Sequence, residues 1–186
     1  MKSTLKESRS SFTLLILFGI SVVFLLLSGC KKEENLIPIP IPEPSGVSVD
    51  LTKVPYQKLS EYRFFTGDLK DQNPAEGVIP YQPASSLFTD YALKKRFIWM
   101  PSGTKANFNG DHEILNLPIG SVLIKNFYYD NVQPAGDTRI IETRIMIRKS
   151  TGWIFAEYVW NDEQTDATLQ MLGSYTNISW SQNGTI

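Results

Sequence analysis

From residue 47 onward, hydrophobic and polar residues alternate at the two-residue spacing of β-strands, and glycine and proline separate the alternating segments. Strands are predicted over residues 95–100, 105–108, 121–129, 139–149, 153–160 and 176–180, and an irregular loop over residues 77–83. The clearest pair is a hairpin, in which Ser150, Thr151 and Gly152 turn the strand at 139–149 back into the strand at 153–160. The chain is therefore expected to be mainly β.

The same alternation assigns side chains to the two faces of each predicted strand. In the strand at 121–129, one face carries Val122, Ile124, Asn126 and Tyr128. In the strand at 139–149, strict alternation groups Ile140 with Glu142 and Arg144, opposite Ile141, Thr143, Ile145 and Ile147. Each of these strands therefore has one more apolar face, which is expected to contact a core.

One segment has a different period. Leu59, Tyr62 and Phe65 recur every three residues, which predicts a short helical turn that Ser60 could cap. Together, the patterns predict an antiparallel, jelly-roll-like β-sandwich over residues 47–186, with one or two short helical turns. The strand at 176–180 leads into turn residues at 181–184 with only two residues beyond them, so an interrupted hairpin and a truncated C-terminus are also expected.

The first thirty residues have the layout of a secretory signal, with three basic residues followed by an uncharged, largely apolar run over residues 10–29. The run ends in Leu27-Ser28-Gly29-Cys30, which resembles the lipobox of bacterial lipoproteins. The resemblance implies cleavage of residues 1–29 and lipidation of Cys30, so that the membrane becomes a partner through the lipid anchor. An uncleaved transmembrane anchor is the alternative, because the run is long enough to span a bilayer.

Residues 30–46 are predicted to be a lipidated cysteine and a tether. Residues 31–34, Lys-Lys-Glu-Glu, resemble the signal that exports lipoproteins of the Bacteroidota to the outer leaflet of the outer membrane, and a solvated charged spacer is the alternative. Residues 37–46 alternate proline with mostly aliphatic residues, which favours an extended polyproline-like spacer. The expected location is an outer membrane lipoprotein that faces the periplasm or the cell surface.

Composition narrows the function. The 186 residues are 42% hydrophobic and 20% charged, which is typical of one globular domain. With 18 basic and 19 acidic residues and no basic run, the chain lacks the positive surface that nucleic acid requires. Because Cys30 is the single cysteine, intrachain disulfides, CxxC zinc sites and CxxCH haem attachment are excluded for this chain. No GxSxG, HExxH or phosphate-loop motif is present, so an enzyme is the weaker class.

Segments covering about two-thirds of the chain resemble the N-terminal module of bacterial exported, diheme cytochrome-like proteins of unassigned reaction. They include Leu59-Ser-Glu-Tyr-Arg-Phe-Phe-Thr-Gly67, Phe97-Ile-Trp-Met-Pro101 and Tyr158-Val-Trp-Asn-Asp-Glu-Gln-Thr-Asp-Ala167. The resemblance implies a non-catalytic module that docks or assembles with haem domains that this chain lacks. No cofactor is expected here, since the family's CxxCH segment is missing, and the implied partner is a cytochrome or a surface protein. The alternative is an independent cell-surface module that binds a glycan or a protein.

Two sets of polar residues are candidates for metal chemistry. Asp162, Glu163 and Asp166 cluster after a predicted strand and offer the oxygen ligands that calcium prefers, although a hydrogen-bonded turn has the same composition. His112, the single histidine, lies between two acidic residues and could bind a metal or act as a base, and an exposed loop position is the alternative. Metal-assisted hydrolysis by these groups is a remote third hypothesis for function.

Two further sets are candidates for binding. Glu142 and Arg144 share a strand face, where they could form a charge ladder or present a carboxylate to a ligand. The tryptophans could form an aromatic platform for sugar rings or for a partner protein, and packing in the core is the alternative. They are Trp99, Trp153, Trp160 and Trp180.

Overall fold

The computed structural model describes residues 46–85 and 87–182. The predictions for the lipobox, Cys30, most of the tether and the last residues of the interrupted hairpin lie outside these ranges. Within them, no helix combines the length and apolarity needed to cross a membrane.

Six antiparallel strands form the main sheet, and each strand pairs with its neighbours in sequence, so the sheet is a meander. The strands are β3 (Val78–Pro80), β4 (Leu93–Trp99), β5 (Val122–Val132), β6 (Asp137–Lys149), β7 (Gly152–Trp160) and β8 (Ala167–Leu169). The predicted hairpin is β6 and β7, whose register pairs Lys149 with Gly152 across the turn. A mainly β, antiparallel fold is confirmed.

A smaller layer, residues 47–77, covers one face of the main sheet, and we call it the covering layer. It contains two 3-10 turns, Leu59–Tyr62 and Leu69–Asp71, and a two-stranded sheet of β1 (Phe65–Thr66) and β2 (Asn73–Pro74). Its buried aromatic rings contact the main sheet, for example Phe65 against Phe97 with centroids 5.1 Å apart. The two sheets therefore form the layers of an unequal sandwich, with the core between them.

The inner face of the main sheet, which contacts the covering layer, is apolar as the alternation predicts. Val122, Ile124, Ile145 and Ile147 are each no more than 1% exposed. A buried pair of tyrosines joins the two layers, since the Tyr62 and Tyr158 hydroxyls lie 3.0 Å apart. Burial raises the pKa of both hydroxyls, so they remain protonated donors.

A chain of buried polar side chains crosses the inner face. Asn126 Nδ2 donates to Gln72 Oε1 over 2.8 Å, Thr143 Oγ1 donates to Asn126 Oδ1 over 2.8 Å, and Trp160 Nε1 donates to Thr143 Oγ1 over 2.9 Å. Because Asn126 and Thr143 are cross-strand partners, these bonds favour one register of β5 against β6. We call these four residues the polar chain.

The prediction that Ile140 shares a face with Glu142 is wrong, because a β-bulge interrupts the alternation. Phe127 pairs with Glu142 but its neighbour Tyr128 pairs with Ile140, which leaves Ile141 as the extra residue. Ile140 consequently points into the core and is 1% exposed. The Gln164 side chain bonds the Ile140 backbone, accepting from its N–H over 2.7 Å and donating to its carbonyl over 3.1 Å.

Other local predictions also differ from the structure. The predicted strand at 105–108 is a single bridge between Asn107 and Asn116, and the predicted strand at 176–180 is a single bridge between Val132 and Trp180. The predicted loop at 77–83 contains the edge strand β3. The helical turn is present, but Ser60 does not cap it, because Glu61 Oε1 accepts from the first free N–H, that of Lys58, over 2.8 Å.

Candidate functional site

The outer face of the main sheet, opposite the covering layer, carries an open cavity. The cavity has a volume of about 550 Å3, within the range of ligand sites, and its floor is formed by β4 to β7. Tyr81 stands at one side and Gln170 and Met171 at the other.

Six residues cross the cavity as one line perpendicular to the strands. Arg96, Lys125, Arg144 and Glu157 are successive cross-strand partners. The line is extended by Tyr81, whose N–H donates to the Arg96 carbonyl over 3.0 Å, and by Gln170, whose N–H donates to the Glu157 carbonyl over 2.8 Å. We call this line the transverse row; with strands about 4.8 Å apart it is about 24 Å long.

Three of the six residues in the transverse row are cations on adjacent strands. Among the described residues, Arg96 and Lys125 form no ion pair, whereas Arg144 Nε lies 2.6 Å from Glu142 Oε1. Burial, followed by the nearby charges of Arg96, Lys94 and Arg144, lowers the pKa of the Lys125 amine. The center of the face is therefore positive, although the chain as a whole carries a net charge of −1.

Phe127 holds two of these cations in place from the outer side of the sheet. Lys125 Nζ lies 4.4 Å and the Arg144 guanidinium 5.0 Å from the center of its ring. The ring is only 6% exposed because the two cationic side chains cover it. The ring therefore restricts the positions of the two charges before any ligand arrives.

An apolar strip lies beside the transverse row on the same face. It consists of the cross-strand partners Ile98, Leu123, Met146 and Phe155. Phe155 is 64% exposed, although large aromatic side chains are usually buried. Charge and exposed apolar surface are thus placed side by side.

Glu142 is an acidic residue on this face and forms an ion pair with Arg144. Burial raises the pKa of its carboxyl, while the adjacent Arg144 opposes that shift and the neighbouring Glu157 adds to it. Of the predicted same-face pair, Arg144 lines the cavity, and Glu142 borders it through its ion pair with Arg144.

Two acidic residues of the loop with Asp162, Glu163 and Asp166 bond to other parts of the domain. The Asp166 carboxylate accepts hydrogen bonds from the backbone N–H and the hydroxyl of Ser60, over 3.1 and 2.7 Å. Asp162 is paired with Arg139, and Glu163 is exposed at the surface. Within residues 46–85 and 87–182, no group of three or more His, Cys, Asp or Glu side chains is arranged to hold a metal. Through Asp166, this loop joins the main sheet to the covering layer.

His112 lies in an exposed turn with a positive φ of 69°. It shares no cavity with the residues of the outer face. The structure therefore gives no observation that supports a base or a metal ligand at this position.

The four tryptophans do not form one platform. Trp160 is buried in the polar chain, Trp99 packs against the core, and Trp153 lies on the outer face with the Arg148 guanidinium 5.8 Å from its ring. Trp180 belongs to a surface cluster, which we call the Trp180 cluster. Its rings are Phe88, Tyr91, Tyr129 and Trp180, with Tyr129 and Trp180 only 4.8 Å apart.

Sequence reasoning missed Arg96, Lys125 and Phe127. The alternation of polar and apolar residues offered a signal, since Arg96, Lys125 and Arg144 lie at polar positions of three predicted strands. Their alignment depends on the registers of β4, β5 and β6, which no local pattern encodes.

Comparison with known proteins adds no further constraint. The chain matches no family model, no curated protein and no solved structure.

Proposed function

We propose that this chain is a lipid-anchored, non-catalytic docking module. It is held at the outer membrane through Cys30, and the outer face of its main sheet receives a partner protein. By the resemblance of its sequence to cytochrome-like proteins, the partner is a protein that carries electron-transfer haem domains.

The single observation that supports docking is the exposed apolar surface of the outer face. Most of the apolar side chains on the inner face are buried by the covering layer, but on the outer face Phe155 of the apolar strip is exposed and the other members of the strip are half-buried. An exposed apolar surface bordered by charges is typical of protein interaction sites. A cavity lined by Arg96 and Arg144 adds charge selectivity to that surface.

Photo-crosslinking in the cells that express the full chain tests the proposal. A photoreactive amino acid at Phe155 should give a defined crosslinked product whose second component is identified by mass spectrometry as a haem-binding protein. The matched control places the same amino acid at Lys53, which is exposed on the covering-layer side of the molecule. No specific product at Phe155, or the same products at both positions, would reject docking at this face.

A second candidate function, glycan binding, is supported by the Trp180 cluster. Phe88 and Tyr91 are 70% and 60% exposed, and their rings meet edge to face with centroids 5.1 Å apart. Exposed aromatic rings provide stacking surfaces for sugar rings, and here they lie together on the surface.

Affinity electrophoresis through gels that contain polysaccharide tests this candidate. The native chain should be retarded, and Tyr91→Ala should abolish the retardation. Trp153→Ala, which removes an aromatic ring from the outer face, is the control and should remain retarded. Equal mobility of the native chain with and without polysaccharide would reject glycan binding.

A further inference from the structure

The outer face favours a negatively charged ligand. Lys94, Arg96, Lys125 and Arg144 are close enough for their charges to act on one another, against the carboxylates Glu142 and Glu157. Of the described ion pairs, only the one between Arg144 and Glu142 belongs to this group. Because like charges raise the free energy of the unliganded face, a ligand that brings negative charge relieves this repulsion.

The geometry of the face favours an extended ligand. The three cations of the transverse row lie on successive strands, so their backbones are separated by about 4.8 Å each. An extended polypeptide rises by about 3.3 Å per residue, and about seven residues would cover the 24 Å of the row. The apolar strip runs parallel to the row and provides contacts for aliphatic side chains of the same segment.

We infer that the transverse row binds an extended acidic segment of a partner protein, with carboxylates on Arg96, Lys125 and Arg144 and aliphatic side chains on the apolar strip. This inference rests on the proposed docking function and names the chemistry of the partner. Arg96 and Arg144 present guanidinium groups, which pair with carboxylates in a two-bond geometry. Phe127 reduces the conformational freedom that Lys125 and Arg144 lose on binding, since both side chains already rest on its ring.

Nucleic acid fits this face less well than an acidic peptide. Glu142 and Glu157 interrupt the positive charge at the β7 side, so a continuous phosphate backbone would meet carboxylates along its path. A peptide can place an amide or a basic side chain there instead. Gln170, at that end of the row, presents an amide rather than a charge.

A binding titration with the full chain in detergent micelles tests the inference. The probe is a fluorescent peptide of about eight residues that contains glutamates and leucines, and its control has glutamine in place of each glutamate. We expect the acidic peptide to bind and the glutamine peptide to bind at least tenfold more weakly. Added salt should lower the affinity for the acidic peptide.

Two variants of the chain locate the binding. The double variant Arg96→Gln, Lys125→Gln should lower the affinity for the acidic peptide at least tenfold. The double variant Lys53→Gln, Lys95→Gln is the matched control, because it removes two positive charges away from the transverse row. Lys53 is exposed in the covering layer, and Lys95 is on the same strand as Arg96 but points to the opposite side, over the ring of Tyr128 at 5.7 Å. This control should change the affinity less than twofold. A thermal melt of each variant separates lost binding from lost folding.

Several results would overturn the inference. Equal weakening by Lys53→Gln, Lys95→Gln would show that the charges act only through the net charge of the chain. Equal binding of the glutamine peptide would remove the role of carboxylates, and tighter binding of free glutamate, inorganic phosphate or anionic vesicles would assign the face to another ligand.

The crosslinking experiment distinguishes this inference from the docking function. A crosslinked partner at Phe155 whose yield is unaffected by Arg96→Gln, Lys125→Gln would retain docking and reject the acidic segment. Peptide binding without any crosslinked partner would retain the acidic site and reject docking in the cell.

Discussion

Thr143 is the residue whose replacement tests most directly how the buried interior fixes the outer face. Its hydroxyl donates to Asn126 and accepts from Trp160, and the residue has no exposed surface. Thr143→Val keeps the shape of the side chain and removes the hydroxyl. The Asn126 carbonyl and the Trp160 N–H would then be buried without their partner.

Each of the two unsatisfied buried groups costs about 1–3 kcal/mol, so we expect Thr143→Val to lower the free energy of unfolding by about 2–6 kcal/mol. With a slope of about 2 kcal/mol per M in urea, the unfolding midpoint should fall by about 1–3 M. Urea titration followed by tryptophan fluorescence measures this change.

Thr138→Val is the matched control for this experiment. The Thr138 hydroxyl also donates to a side chain, Asp130, over 2.6 Å, but that pair is exposed to water. We expect the control to change the free energy of unfolding by less than about 0.5 kcal/mol. A loss of similar size in both variants, or a loss below about 0.5 kcal/mol for Thr143→Val, would refute the assignment of the polar chain as a stabilising network.

The same variant should affect the outer face. Thr143 lies in β6 beside Arg144, and its partner Asn126 lies in β5 beside Lys125. The polar chain thus helps to hold the register that sets these two cations opposite each other. We expect Thr143→Val to lower the affinity for the acidic peptide even at temperatures where the variant is fully folded.

Three further predictions concern other parts of the chain. Cys30→Ser should abolish incorporation of a clickable fatty acid into the protein in cells, and persistent labelling would disprove lipidation at that residue. Asp166→Asn should lower the free energy of unfolding by about 1–2 kcal/mol, measured in urea, because it weakens the hydrogen bonds to Ser60; an unchanged midpoint would contradict that role. Because burial raises the pKa of Glu142 above 4.5, its contribution to stability is present below that pH and is lost as the pH rises through the folded pKa. Glu142→Gln should therefore flatten the fall in stability with rising pH relative to native protein, and a profile identical to that of Glu163→Gln, an exposed control, would contradict this.

The fold class could be predicted from the sequence because alternation reports which faces are buried. Val122, Ile124 and Asn126 point to the same side in the strand pattern and are all buried in the structure. The bulge at Ile141 could not be predicted, since it depends on how β5 and β6 pair and on the Gln164 side chain that bonds the Ile140 backbone.

The site was harder to predict than the fold. Sequence reasoning found Glu142 and Arg144, which are close in the chain, but not Arg96 and Lys125, which join them only through strand register. For the loop with Asp162, Glu163 and Asp166 it left two hypotheses, a calcium site and a hydrogen-bonded turn. The composition of that loop is the same whether its oxygens bind a cation or, as the structure has Asp166, the backbone and hydroxyl of Ser60.

The hydrogen bonds between Ser60 and Asp166 affect the order in which the protein can fold. The two residues are 106 positions apart, and Lys58 and Thr168, which are also bonded, are 110 apart. At a synthesis rate of about 5–20 residues per second, the covering layer leaves the ribosome roughly 5–20 s before the strand that completes it. During this interval the main sheet that buries Leu59, Tyr62 and Phe64 in the finished domain is still incomplete. The part of the domain that is made first thus depends for its last contacts on the strand that is made last.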